Sequence, residues 1–174
     1  MDVEQGRCIM PNWCENRVVI TGDVKVLTAI QEAADKGGLL EHLAPIGEYD
    51  YDVANNTWNT KWEVDVQHVS LFPDGYEDGK TAVLHLGFES AWSPPTGAYY
   101  IGSDRLGISI DASYYEPGIG YIGEYDSALD VNECYSVEFK NEDWKESIPT
   151  ELIEEFDLDG EYVCYQEWQE ENNA

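Results

Sequence analysis

Paired carboxylates can divide general-acid and general-base roles when their surroundings push their pKa values apart. Glu89 and Glu116, each beside an aromatic motif, are candidates for one such pair, but among the 36 Asp and Glu of the chain nothing singles them out. Nucleophilic chemistry is poorly supplied. No G-x-S-x-G elbow occurs, and the three histidines, His42, His68 and His85, compose no triad. His85 alternates with Val83 and Gly87, the pattern of a strand-face residue rather than a base. The four cysteines, Cys8, Cys14, Cys134 and Cys164, include no C-x-x-C pair, so zinc ligation has little to work with. They are expected to be reduced and mostly buried thiols. Gly118-Ile119-Gly120-Tyr121-Ile122-Gly123 matches G-x-G-x-x-G in letters only. A dinucleotide site needs a strand before the glycines and a helix opening within them, whereas Pro117 precedes them and strand-like alternation follows. A bulged turn between strands is the expectation, and no cofactor is assigned. Asp157-Leu158-Asp159-Gly160-Glu161 resembles part of a calcium loop but lacks one ligand position, so no metal is assigned.

The acid excess is the strongest signal. Nine Lys and Arg face those 36 acids, for a net charge of −27 and a sequence pI near 4.1. Self-repulsion at this level costs stability, so solubility, salt adaptation or a basic partner must account for it. Direct binding to nucleic acid and to anionic membranes is disfavoured by the same sign of charge. Over residues 141–174, twelve acids stand against Lys145 alone. This stretch differs from a disordered acidic tail because Trp144, Leu152, Ile153, Phe156, Tyr162, Tyr165 and Trp168 interleave the charges and can anchor it to a sheet.

The elements that must position these groups follow from periodicity. A length of 174 residues supports a sizeable core. No apolar run reaches 18 residues, and the N-terminus lacks a signal pattern, so a cytoplasmic protein is expected. Residues 1–12 are read as a mobile lead-in, with structure beginning at Trp13. Val18, Val19 and Ile20 make a strand, and Val26, Leu27, Ile30, Ala33 and Ala34 fall at helical spacing up to Gly37-Gly38. Residues 39–59 read as an irregular crossing. Trp62, Val64, Val66 and His68 alternate onto one face of a strand, a turn-rich loop over residues 73–79 closes a hairpin, and residues 81–89 return. At Trp92-Ser93-Pro94-Pro95 the chain turns into a second helix over residues 96–106, with Ser93 as its expected N-cap, Pro94 in its first turn and Trp92 plugging the core. A strand through Ile108, Ile110 and Ala112 follows. Strands over 121–126 and 131–140, a helix over 149–157 and a last strand over 162–168 complete the chain.

The fold class is therefore α+β. The order β-α-β-β-α-β predicts a ferredoxin-like split β-α-β core, an antiparallel sheet with two helices on one face, over residues 13–126. Residues 127–174 form an acidic β/α extension packed on or extending that sheet.

Three motifs resemble the YubB-type ferredoxin-like family of phage and plasmid proteins. They are Met10-Pro11-Asn12-Trp13-Cys14-Glu15-Asn16, then Trp58-Asn59-Thr60-Lys61-Trp62, then Ala91-Trp92-Ser93-Pro94-Pro95 followed by Tyr115-Glu116-Pro117-Gly118-Ile119-Gly120-Tyr121. The likeness covers roughly residues 10–125, with Asn59 where the family usually carries Gly. It implies a ferredoxin-like fold and a mobile-element origin, and supplies no catalytic residues.

Charge and resemblance together predict a non-enzymatic phage or plasmid accessory protein in the host cytoplasm. It would act as an acidic nucleic-acid mimic that blocks a basic DNA- or RNA-binding host protein of the restriction or CRISPR nuclease type. Carboxylates at i and i+2 on a strand lie roughly 6.6 Å apart, and those at i, i+3 and i+4 on a helix about 5–6 Å, so ordered acidic elements can imitate phosphate rows. The expected partner-binding surface is Glu142, Asp143, Glu146, Glu151, Glu154, Glu155, Asp157, Asp159 and Glu161. The alternative is an enzyme or small-ligand module with a pocket around Trp62, Trp92, Tyr115 and Glu116.

Overall fold

The computed structural model describes residues 12–73 and 80–172. Most of the predicted lead-in and most of the 73–79 loop lie outside the described residues. The chain is α+β, with a six-stranded antiparallel open sheet and helices. The strands are β1 (Trp13–Asp23), β2 (Asp65–Phe72), β3 (Thr81–Ala91), β4 (Ser109–Glu116), β5 (Tyr121–Asp126) and β6 (Val131–Ser136). The helices are α1 (Val24–Asp35), α2 (Leu39–Leu43), α3 (Tyr51–Trp58), α4 (Thr96–Leu106), α5 (Thr150–Glu155) and α6 (Leu158–Asn172). Strand order is β2-β3-β1-β4-β5-β6, and every neighbouring pair is antiparallel.

Alternation assigns the two faces of the sheet. Cys14, Asn16, Val18 and Ile20 of β1 are buried, and register places them beside Leu84, Leu86, Phe88 and Ser90 of β3 and Ile110, Ala112 and Tyr114 of β4. This first face meets Leu27, Ile30 and Ala34 of α1 and Ala98 and Tyr99 of α4 in the main core. The Asp23 carboxylate caps α1 by accepting from the Lys25 N–H at 2.8 Å, and Gly37 ends that helical region at φ +70°.

The second face carries Tyr115 and Ile122, register partners on β4 and β5. They pack with Val137, Trp144, Ile148, Leu152, Ile153, Phe156 and Leu158 in a separate apolar cluster. Polar and cation–π contacts also fasten this end of the chain to the sheet. Tyr115 Oη donates to Glu161 Oε2 at 2.6 Å, and the Arg17 guanidinium lies 4.5 Å from the Phe156 ring centroid.

Several expectations are corrected by the structure. The crossing over 39–59 is helical: Leu39, Leu40 and Leu43 of α2 and Ala54 and Trp58 of α3 are buried, Asp50 caps α3, and Trp58 Nε1 donates to the Ala44 carbonyl at 2.7 Å. These helices are too short, and α3 too rich in Asn, for periodicity to show. Trp62 precedes β2 and is exposed, and a register shift between Val66 and His68 turns Val66, Val69 and Leu71 toward the core while His68 faces out. The final segment is helix rather than strand. Leu158, Tyr162, Tyr165 and Gln169 form a buried or half-buried stripe along it, at 4-3-4 spacing. Phe139 packs edge-on against Trp144 at 4.9 Å, and Trp144 meets Tyr162 at 5.5 Å.

The corner also differs. α4 starts at Thr96 behind Pro95, Ser93 gives no cap, and the Ser93 hydroxyl donates instead to the Asn59 carbonyl. Trp92 is half-buried rather than a core plug, and sits at φ +72°, a region uncommon for a bulky residue. Its N–H donates to the Asn12 carbonyl at 2.9 Å and its carbonyl accepts from Tyr121 Oη at 2.6 Å, while Lys61 Nζ rests 4.2 Å from the ring centroid. These contacts hold the conformation. Of the described cysteines, all free, only Cys14 is buried, whereas Cys134 and Cys164 are exposed.

Candidate functional site

β4, β5 and β6 cross the second face with their odd- and even-numbered positions brought into register by two hairpins. Asp111 stands opposite Asp126, Ser113 opposite Glu124, and Glu124 opposite Glu133. Directly opposed like charges destabilise a sheet. Four carboxylates thus gather on one side of three strands, next to α5. Ser113 Oγ donates to Glu155 Oε1 at 2.8 Å, which brings that helix's acids to the same place.

Electrostatics register the crowding. Asp111 is raised above its ordinary value of 3.8, first by burial and then by Asp126 and Glu155. Glu124 is raised above 4.5, again first by burial, then by Glu133, Asp111, Glu151 and Asp126. Asp111, Glu124, Asp126, Glu133, Glu151 and Glu155 thus form an acidic surface, bordered on β1 by Arg17, whose guanidinium donates to the Glu155 carbonyl.

All nine acids expected from the tail are exposed, but the structure divides them. Glu151 and Glu155 join the strand carboxylates, with Glu154 beside them at i+3 on α5. Asp143 and Glu146 line a separate hollow of about 290 Å³ with Glu138. Asp159 pairs with Lys145, and Glu161 is engaged by Tyr115. Asp157, at φ +50°, accepts from the Gly160 N–H at 3.3 Å and so starts α6. The calcium-like stretch is therefore a helix start whose three carboxylates turn to different partners. Glu142 and Glu154 make no side-chain hydrogen bond or ion pair among the described residues.

The strand acids Asp111, Glu124, Asp126 and Glu133 were not among the expected site residues. Their signal was the i, i+2 placement of Glu124 and Asp126 on a short strand, which only the neighbouring register turns into a cluster.

Of the four residues of the alternative pocket, two share a hollow. Tyr115 and Glu116 line a hollow of about 310 Å³ whose walls include neither Trp62 nor Trp92. As neighbours on β4 their side chains leave opposite faces. Glu116 is fully buried, and its carboxylate accepts from the Gly118 N–H at 3.0 Å and the Ile119 N–H at 2.5 Å. It holds the β4–β5 turn. Gly120, at φ +84°, completes that turn, and a Cβ there would lie 2.6 Å from the Val137 carbonyl oxygen. The G-x-G-x-x-G stretch is thus a hairpin running into β5. Trp62 instead meets Trp13 edge-to-face at 6.3 Å.

Among the described residues no three His, Cys, Asp or Glu come together in a way that could hold a metal ion, and no helix is long and apolar enough to cross a membrane. Comparison of the chain with family models, with curated proteins and with solved structures finds no match in any of the three.

Proposed function

We propose that the protein is a non-enzymatic accessory protein, of phage or plasmid origin, that works as an acidic nucleic-acid mimic. Its surface of strand and helix carboxylates enters the basic nucleic-acid channel of a host protein, of the restriction or CRISPR nuclease type, and occludes it. One observation carries this reading: like charges stand directly opposite one another on β4, β5 and β6, an arrangement that costs stability. A cationic partner offsets that cost when it binds. The expected tail acids contribute through Glu151, Glu154 and Glu155, and the strand acids extend the surface.

The scaffold is read as a ferredoxin-like split β-α-β core over residues 13–126. The strand order β2-β3-β1-β4, with α1 after β1 and α4 between β3 and β4, supports this. Residues 127–174 are the acidic extension, supported by its separate apolar cluster with Tyr115 and Ile122.

The reading is tested in cells carrying an active restriction or CRISPR system, challenged by a targeted phage or plasmid. Expression of the protein should relieve interference, and the Glu124→Gln, Glu133→Gln, Glu151→Gln variant should relieve it less. Full interference in the presence of well-expressed folded protein overturns the proposal.

A further inference from the structure

Beyond the α5 carboxylates, the second face of the sheet is open over β3 and β2, and its exposed side chains build a trough with a different chemistry. Asp65, Glu89 and Glu15 are register partners on three consecutive strands, so their side chains form one row. All three are exposed. Glu15 pairs with Arg17 at 2.9 Å, while Asp65 and Glu89 make no ion pair or hydrogen bond among the described residues. Alongside the row stand Trp13, from the β1 side, and Trp62, which precedes β2, 41% and 39% exposed and in edge-to-face contact. Trp13 lies two residues before Glu15 on β1 and hence on the same face.

Two hollows share Glu15 and Glu89. One, about 310 Å³, includes Trp13, Tyr115 and Glu161 in its wall. The other, about 840 Å³, continues to His68 and His85. Its one Lys or Arg is Arg17, already engaged with Glu15, Phe156 and the Glu155 carbonyl. The two hollows thus meet at Glu15 and Glu89, with Trp13 in the wall of the smaller one and Trp62 in contact with Trp13 outside both.

Exposed indoles beside unneutralised carboxylates suit a cation that is planar, weakly hydrated and able to make forked hydrogen bonds. A carboxylate floor repels anions and is costly to cover with an apolar group. We infer that this trough is a docking site for an extended arginine-bearing segment of a basic protein, with a guanidinium held between the Trp13–Trp62 pair and the Glu89 carboxylate. The inference rests on the mimic reading only for the partner being a basic protein, and it adds a second site with side-chain selectivity to a surface that otherwise reads charge.

Hexa-arginine and hexa-lysine peptides, fluorescently labelled, test it by anisotropy against the full chain at one fixed salt concentration. Hexa-arginine should bind about tenfold more tightly than hexa-lysine. Trp62→Ala and Glu89→Gln should each weaken hexa-arginine about fivefold and erase most of the preference. Asp35→Asn, which removes the same charge from α1 on the other face, should match the wild type. Both trough positions are exposed, and unchanged thermal midpoints establish that the variants fold. Equal binding of the two peptides, or Trp62→Ala and Glu89→Gln behaving like Asp35→Asn, overturns the inference. The Glu124→Gln, Glu133→Gln, Glu151→Gln variant separates it from the mimic reading. That variant should keep the arginine preference while losing relief of interference. Loss of the preference in that variant, with Glu89→Gln binding like the wild type, overturns the trough and leaves the mimic reading standing.

Discussion

Glu124 on β5 and Glu133 on β6 are direct register partners whose carboxylates lie on the same face of the sheet. A sheet selected for stability alone would not pair them, since an opposed like-charge pair costs a few tenths to about 1 kcal/mol. Glu124→Gln should therefore raise the stability of the isolated protein by about 0.2–1 kcal/mol, read as a higher denaturant midpoint with unchanged slope. The same substitution should weaken binding to a basic partner. Stability and binding moving in opposite directions marks a residue kept for its charge.

The pH dependence follows from the raised carboxylates. Asp111 and Glu124 bind their protons more tightly in the folded chain than in the unfolded one, through burial first and neighbouring acids second. Their stabilising contribution is complete below the ordinary values of 3.8 and 4.5 and is lost as pH rises through the raised native values. His42 acts oppositely, because burial and then Arg105 lower it from 6.5, so acidification below that value costs stability there. The difference between wild type and an Asp111→Asn, Glu124→Gln variant isolates the carboxylates. Denaturation across pH should show the wild type gaining on the variant as pH falls from neutral toward 4.5. Binding to a basic partner should weaken over the same interval.

Much of this architecture was legible in the chain. The β3 alternation, the α1 stripe and the bounds of β5 follow from periodicity and turn residues, and β1 was legible as a short strand through Val18, Val19 and Ile20. The failures have local causes. A register shift at Gln67 reversed the faces of β2, and Tyr162 and Tyr165, read as strand residues, belong to the 158-162-165-169 helical stripe. The acidity of the candidate surface was legible, but its location was not. Asp111, Glu124 and Glu133 lie on three successive strands, and only strand register brings them side by side. Conversely, the aromatic motifs looked like a pocket because they share a resemblance, while the structure spreads them over two faces and a corner.

Phe156 anchors the acidic extension. It is 6% exposed, packs on Tyr115 at 5.9 Å and lies under the Arg17 guanidinium. Phe156→Ala should cost roughly 3–5 kcal/mol if the cluster unfolds with the rest of the chain. Equilibrium unfolding checks this. Hydrogen exchange on α5 and α6 should report the loss as faster opening of those helices.

Asn59 ends α3 at φ +65°, where its side chain also donates to Thr96 Oγ1 at 2.9 Å. Asn and Gly tolerate this conformation and Ala does not, by about 1–2 kcal/mol. Asn59→Ala should thus be less stable than Asn59→Gly by about 1 kcal/mol. Thermal or urea denaturation of the pair measures the difference.

The central claim is that the carboxylates of β4, β5, β6 and α5 stand in for phosphates. It is tested most directly by competition between this protein and a labelled DNA duplex for a purified restriction or CRISPR nuclease, at low and at physiological salt. The protein should displace DNA, its affinity should fall steeply with salt, and the Glu124→Gln, Glu133→Gln, Glu151→Gln variant should compete at least tenfold less well, about 1.4 kcal/mol. Displacement by wild type and variant alike, or DNA retained on the nuclease at low salt with excess protein present, would contradict it.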